Sequence, residues 1–492
     1  MARRQSGNSK DFSLQALLPL ACMSVLSCLL FACGKGSSSP SAIADNTPPP
    51  AGATCTIFAS ANGNDANSGA TPFAPRTLLG AAALTKPGSV VCLLAGTYQL
   101  KSTFYPPAGG TPSAWITYKD YGDGDVNLVW TGGPNAADKM MFKMGSGTFP
   151  SAPAYLQFQG LKLDGQTYAI AGFFCFGAHH LRFAGNTITN TGGAGISTVL
   201  CDYITSDSNI VYRNGYRYGW TSGISYNSSQ WFDRYQGFHN IISNNFVAGE
   251  YDGSGKHTDG NGIILDLSNR SYRYGSANTP PALIINNVVY GNGGRCVHAF
   301  VVSNFWVVNN TCYQNGLDLA LGYAPSFSTD NSRDGYFVNN IAVAWGRRNE
   351  GFAQFHSNAN IRYFANLSFG SPINSSHFDP VQFFEADPLF LRPPQFDPVA
   401  DGQYAAAPAP WDLADGLALR SASPALRRGV DPSALPNVPP AIAADLQKYI
   451  YRDIRGKQRL PETGFDLGAY QLTAVPSGPT RTAEAPHRAN RP

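Results

Sequence analysis

Short apolar runs recur along most of the chain, and each is entered through asparagine or a small residue. They read Gly185-Asn186-Thr187-Ile188, Ser208-Asn209-Ile210-Val211, Ser243-Asn244-Asn245-Phe246-Val247 and Ile285-Asn286-Asn287-Val288-Val289. The series continues with Val308-Asn309-Asn310-Thr311-Cys312, Val338-Asn339-Asn340-Ile341-Ala342 and Phe364-Ala365-Asn366-Leu367. A second apolar run, such as Ser303–Val307, sits between units. The runs are too short for helices and too regular for scattered loops, so they predict strands. Their spacing runs from roughly 23 to roughly 42 residues, the shortest matching one bare solenoid coil and the longer ones requiring inserted loops. Stacked coils lie one strand spacing apart. An asparagine at the same turn of successive coils can then pass a hydrogen bond from amide to amide. The pattern predicts an all-β solenoid with an internal asparagine ladder.

Composition supports this. Only 14% of residues are charged, whereas Gly (51), Phe (29) and Tyr (24) are abundant, which favours strands and tight turns over surface helices. A chain of this length could hold two or three ordinary domains, but a solenoid counts as one. A net charge of +3 is too small to imply nucleic acid.

The first residues predict export. Arg3, Arg4 and Lys10 precede an apolar run, Leu14 to Ala32, that ends in Leu30-Phe31-Ala32-Cys33. This resembles the lipobox of bacterial lipoproteins, which implies acylation of Cys33 and an N-terminal membrane anchor. Gly34 after the cysteine implies the outer membrane by the same analogy. Leu26-Ser27-Cys28 is a weaker second candidate, and a plain cleaved signal or an uncleaved anchor helix also fits. The expected layout is a signal segment over 1–33, a flexible tether over 34–54, a solenoid domain over 55–472 and a disordered tail over 473–492. Cys55, Cys92, Cys175, Cys201, Cys296 and Cys312 remain, an even number suited to an oxidising compartment. Neighbours in sequence suggest Cys55 with Cys92, Cys175 with Cys201 and Cys296 with Cys312, the last two pairs about one coil apart.

Two further stretches carry a family resemblance. One reads Ser60-Ala61-Asn62-Gly63-Asn64-Asp65, then Pro75-Arg76-Thr77-Leu78, Lys86-Pro87-Gly88 and Ala95-Gly96-Thr97-Tyr98. The other reads Asp387-Pro388-Leu389-Phe390, Ser423-Pro424-Ala425 and Phe465-Asp466-Leu467-Gly468-Ala469-Tyr470. Together they resemble secreted proteins of the pectate-lyase-like and alginate-lyase-like group, over roughly residues 55 to 472. The resemblance implies a single-stranded right-handed parallel β-helix with a short capping helix over Arg76 to Leu84 and long inserted loops. It implies a polysaccharide-active protein, but the same fold hosts lyases, hydrolases, C5-epimerases and plain binders.

Candidate chemistry concentrates in Gly249–Asp266. Its Lys256, His257, Glu250, Asp252, Asp259 and Asp266 sit among glycines, and the next coil adds Arg295 and His298. Removing the C5 proton of a uronate requires a base and neutralisation of the adjacent carboxylate. Lys256 and His257 are candidate bases, and Arg295 is a candidate bidentate partner for that carboxylate, with His298 beside it. Glu250, Asp252, Asp259 and Asp266 are hard oxygen donors suited to Ca²⁺. Arg213, Tyr216, Arg217 and Trp220 in one loop, with Arg273 and Tyr274 in another, suit sugar stacking and acidic groups. The expectation is a monomer acting on an acidic polysaccharide by β-elimination. A hydrolase or C5-epimerase on the same fold, or a non-catalytic surface binder, are the alternatives.

Overall fold

The computed structural model describes residues 53–267, 278–345, 350–371, 383–395, 407–460 and 464–472. All lie within one compact unit, Ala44–Pro492. Three sheets build it. Among the described residues sheet A has 11 strands, from Ile57–Ala59 to Ala359–Phe364, and sheet B has 11, from Gly96–Leu100 to Phe383–Glu385. Sheet C has eight, from Met140–Met144 to Phe352–Phe355. The chain visits C, A and B in turn and pairs each strand in parallel with its counterpart one coil on, as in Ile263↔Val297 and Asn245's neighbours Phe246↔Val288. It is a right-handed parallel β-helix.

The asparagine ladder is present. Asn186, Asn209, Asn245, Asn287, Asn310, Asn340 and Asn366 are buried, and each Nδ2 donates to the next Oδ1 at 2.9–3.1 Å. The doubled asparagines divide the work. The first of each pair, Asn244, Asn286, Asn309 and Asn339, takes a left-handed turn with φ of 58°, 57°, 53° and 59°. Asparagine tolerates that conformation better than most residues. The turn aims the second asparagine inward.

Inside the coil, aromatic side chains meet between equivalent strands, Phe142 with Phe173 in sheet C and Phe158 with Phe183 in sheet A, and across the two sheets, as Phe158 does with Phe173. Where sheet B runs into sheet C, Gly172, Gly195, Gly223 and Gly262 form a column. A Cβ at each would collide with a methyl of Ile188, Val211, Val247 or Val289 respectively, so only glycine lets the two sheets close there. In the next coil Cys296 occupies the glycine register and Cys312 the valine register, joined by a disulfide. All three pairings suggested by the sequence are present. One detail differs: Cys296 and Cys312 are separated by less than a full turn, and their bridge crosses the interior.

The N-terminal end of the stack is covered by a helix, and the C-terminal part of the chain lies along its outside. Helix Leu78–Ala82, shorter than expected, buries Leu78, Ala81 and Ala82 against the first coils. Thr77 caps it, its Oγ1 accepting from Gly80 N at 3.0 Å. After Glu385 the chain folds back along the outside. Leu413, Leu417 and Leu467 lie on the outer face of sheet B, and Ile442, Leu446 and Ile450 on that of sheet A. Tyr212, Tyr290 and Tyr313 donate to the carbonyls of Ala407, Pro408 and Pro394 at 2.7–2.9 Å. Arg459 is fully buried and donates to Asp466 O, Gly468 O and Asn286 Oδ1, locking this segment to the coils.

Candidate functional site on sheet C

Sheet C is a surface lined along one edge by the loops that leave sheet B. Its strands alternate, so Ile263 and Leu265, Val297 and Ala299, and Phe327 enter the core. Ile264, Asp266, His298, Phe300, Ser328 and Asp330 therefore form the outer floor. Register sets their neighbours: Ile264↔His298↔Ser328 in one row and Asp266↔Phe300↔Asp330 in the other. Strands Ile263–Asp266 and Val297–Phe300 are stacked neighbours, so Arg295 and His298 do belong to the coil next to the Gly249–Asp266 segment.

Charged groups gather over this floor. Asp259 and Arg295 enter from the loops, and Asp259, Asp266, Asp330 and Tyr323 set the local field. Burial first, then the nearby Asp266, pushes the Asp259 carboxyl up to about 7, with Arg295 opposing the shift. Burial lowers the Arg295 pKa, although a guanidinium keeps its proton in any protein. Its side chain lies over the Phe355 ring, 5.6 Å from the centroid. Among the described residues it makes no ion pair and no side-chain hydrogen bond, and its buried Nε has no acceptor. His298 is also buried, its Nδ1 2.7 Å from Ser328 Oγ. Burial and then Arg295 hold its pKa well below the usual imidazole range, so the ring is neutral near pH 7. At the floor's far end His356 Nδ1 meets Asp330 Oδ1 at 2.8 Å.

Other sequence-selected residues are placed differently. Glu250 points into the coil, where its Oε1 accepts from Asn214 Nδ2 at 3.0 Å. It is a rung of a second ladder, Thr191–Asn214–Glu250–Asn292–Asn315, and is 1% exposed, so it cannot share a surface cation with Asp259. Asp252 is consumed by its own loop: it accepts from Ser254 Oγ at 2.6 Å and from Thr258 N and Oγ1 at 3.0 Å. Those donors hold its carboxyl below the usual range despite burial. Among the described residues no group of three or more His, Cys, Asp or Glu is placed to hold a metal. The four-carboxylate calcium set expected from the sequence does not assemble.

His257 also departs from its expected partners. Its Nδ1 lies 2.7 Å from Asp318 Oδ2 and 3.2 Å from the Tyr251 hydroxyl, at the corner facing sheet B. No hydrogen bond or ion pair among the described residues joins it to Arg295 or His298. Lys256 is exposed, and its Nζ sits 3.2 Å from the centroid of the Trp220 ring.

Of the aromatic and basic loop, Trp220 is 59% exposed and borders the floor, whereas Tyr216 donates to Gly249 O and packs on Tyr251. Arg213 and Arg217 lie over the rings of Tyr216 and Tyr168. Arg273 and Tyr274, like Cys33, fall outside the described residues. Sequence reading missed Asp318, Tyr323, Ser328 and Asp330. Aligning the coils on their asparagines would have placed Ser328 and Asp330 beside His298 and Phe300.

A family model described as a protein of unknown function (DUF1565) matches residues 61–303. No curated protein sequence matches. Among solved structures, the fold is similar to pectate lyase Pel9A, at 16% identity and a TM-score of 0.46, covering 85% of this chain and 97% of that one. It is similar to an alginate lyase from Paenibacillus sp. (17%, TM-score 0.35, covering 62% and 98%). A GH136 lacto-N-biosidase from Eubacterium ramulus is a third (13%, TM-score 0.40, covering 64% and 63%).

Proposed function

We propose that this protein acts on polysaccharide laid across the outer face of sheet C, and that the substrate carries uronate residues cleaved by β-elimination. The observation that carries the reading is Arg295. A half-buried guanidinium that lies in the field of Asp259 and Asp330 yet makes no ion pair or side-chain hydrogen bond among the described residues keeps its fork for a carboxylate, which it grips bidentately. Neutralising the uronate carboxylate acidifies its C5 proton. His298, neutral and next to Arg295 in its coil, takes that proton. The C4–O4 bond then breaks, and O4 leaves with the proton that Asp259 carries below about pH 7. The product is a C4=C5 unsaturated uronate, with no atom unaccounted for.

Hydrolysis is the second reading, favoured by the same raised Asp259 pKa. A carboxyl raised by burial with a second one, Asp266, nearby supplies the acid and base groups that a glycosidase uses. Incubation with a panel of uronate polysaccharides separates the two. Elimination yields ultraviolet absorbance from the conjugated double bond; new reducing ends without that absorbance mean hydrolysis. Binding with neither product means a surface binder. Arg295→Ala should lower elimination about 10²–10³-fold, and undiminished cleavage by that variant would sink the Arg295 reading.

The wider setting we infer is a monomer tethered to the outer membrane through acylated Cys33. Three disulfides support an extracytoplasmic site of action.

A further inference from the structure

Upstream of Arg295 the floor of sheet C changes character. The outward positions in register with Ile264 become Ser225, Ser197 and Phe174, and those in register with Asp266 become Asn227, Val199 and Phe176. Above Phe174, Ser197 and Ser225 lies a cavity of about 340 Å³, walled by Met140, Tyr218 and Trp220 and lined, among the described residues, by no charged side chain. Among the described residues the cations around it are engaged by other groups, Arg217 included, which lies over the Tyr168 ring at 4.4 Å. Lys256 rests against the Trp220 ring, Lys139 lies over Tyr218 at 5.9 Å, and Lys143 pairs with Asp138 at 2.7 Å. An aromatic wall over small hydroxyl side chains suits a sugar ring, whose apolar face stacks while its hydroxyls find Ser197 and Ser225.

We propose that this cavity is a subsite for an uncharged sugar, so that the substrate is a mixed polysaccharide with neutral residues near the uronate held by Arg295. The inference rests on the uronate reading of Arg295. The strand of Ser225 is one coil before that of Ile264, and that of Ser197 two coils before it. Coils are spaced about 4.8 Å apart, so a glycan lying along the stack reaches the cavity within a few residues of the uronate. A homopolymer of uronate would place carboxylates in a pocket that offers them no free cation among the described residues.

Calorimetry on the full chain with three kinds of hexasaccharide tests this: alternating neutral and uronic, all-uronic, and all-neutral. The alternating probes, such as hyaluronan and unsulfated chondroitin hexasaccharides, should bind tightest. Trp220→Ala should weaken them about tenfold, the worth of one stacked ring, while leaving hexagalacturonate and hexamannuronate unchanged. Arg295→Ala should weaken every uronate-containing probe and spare cellohexaose. Equal affinity for all-uronic and alternating probes, or no effect of Trp220→Ala, overturns the neutral subsite. If Trp220→Ala weakens binding but Arg295→Ala does not, the subsite stands and the uronate reading of Arg295 falls. A near-native melting temperature for both variants secures the comparison.

Discussion

Asn214 Nδ2 donates to Glu250 Oε1 at 3.0 Å, inside a ladder whose other rungs are uncharged. Burial raises the Glu250 carboxyl to about 8, with the Asn214 bonds opposing. A carboxyl raised in the folded state stabilises fully below its unfolded pKa and loses that contribution as pH rises through the folded value. Stability should therefore fall between about pH 5 and about pH 9. Glu250→Gln keeps the acceptor and removes the charge, so its melting temperature should match the wild type near pH 5 and exceed it near pH 9. Parallel pH profiles for the two proteins would contradict this assignment.

The two candidate histidines should separate by phenotype. His257 ties its loop to buried Asp318, and His257→Ala removes that bond while Ala320 N still donates to Asp318 Oδ1, at about 1–3 kcal/mol. Turnover should follow the loss of stability only. His298→Gln should retain the melting temperature within a few degrees and lose about 10²–10⁴ in turnover. Thermal melts run beside initial rates decide the matter, and the reverse pattern would return the base to His257.

The asparagine ladder can be broken at one rung. Asn310 accepts from Asn287 N and Nδ2 and donates to Asn340 Oδ1 and the Ile284 carbonyl. Asn310→Leu leaves several buried groups unpaired and should cost about 1–3 kcal/mol or more, read by denaturant titration.

The anchor has a simple check. Cys33→Ser should release the protein from detergent-extracted membrane lipid into the aqueous phase. Retention with lipid would refute acylation at that position.

The fold was legible because a stacked solenoid repeats its backbone geometry, so the paired asparagines of 244–245, 286–287, 309–310 and 339–340 mark the same turn each time. The cluster of Arg295 with His298 was legible for the same reason, since register follows from the repeat. Glu250 and Asp252 misled because composition alone does not reveal side-chain direction. Glu250 stands at the ladder position that Asn214, Asn292 and Asn315 also occupy, and that correspondence, not its charge, decides where it points. His257 took its partner from a loop two coils on, a contact that no local spacing announces.

The returning C-terminal segment gives this stack an unusual mechanical character. In a bare solenoid each coil touches only its neighbours, and terminal coils can peel away one at a time. Here residues 407–472 bind the coil of Tyr212, that of Asn286 and Tyr290, that of Thr311 and that of Asn339 at once. A pulling force applied at the C-terminal side would load those coils in parallel, so rupture should occur as one large step with the sheet C floor intact until then. On the proposed anchoring through Cys33 and the proposed binding of a long glycan, this C-terminal strap would keep the coils together under tension.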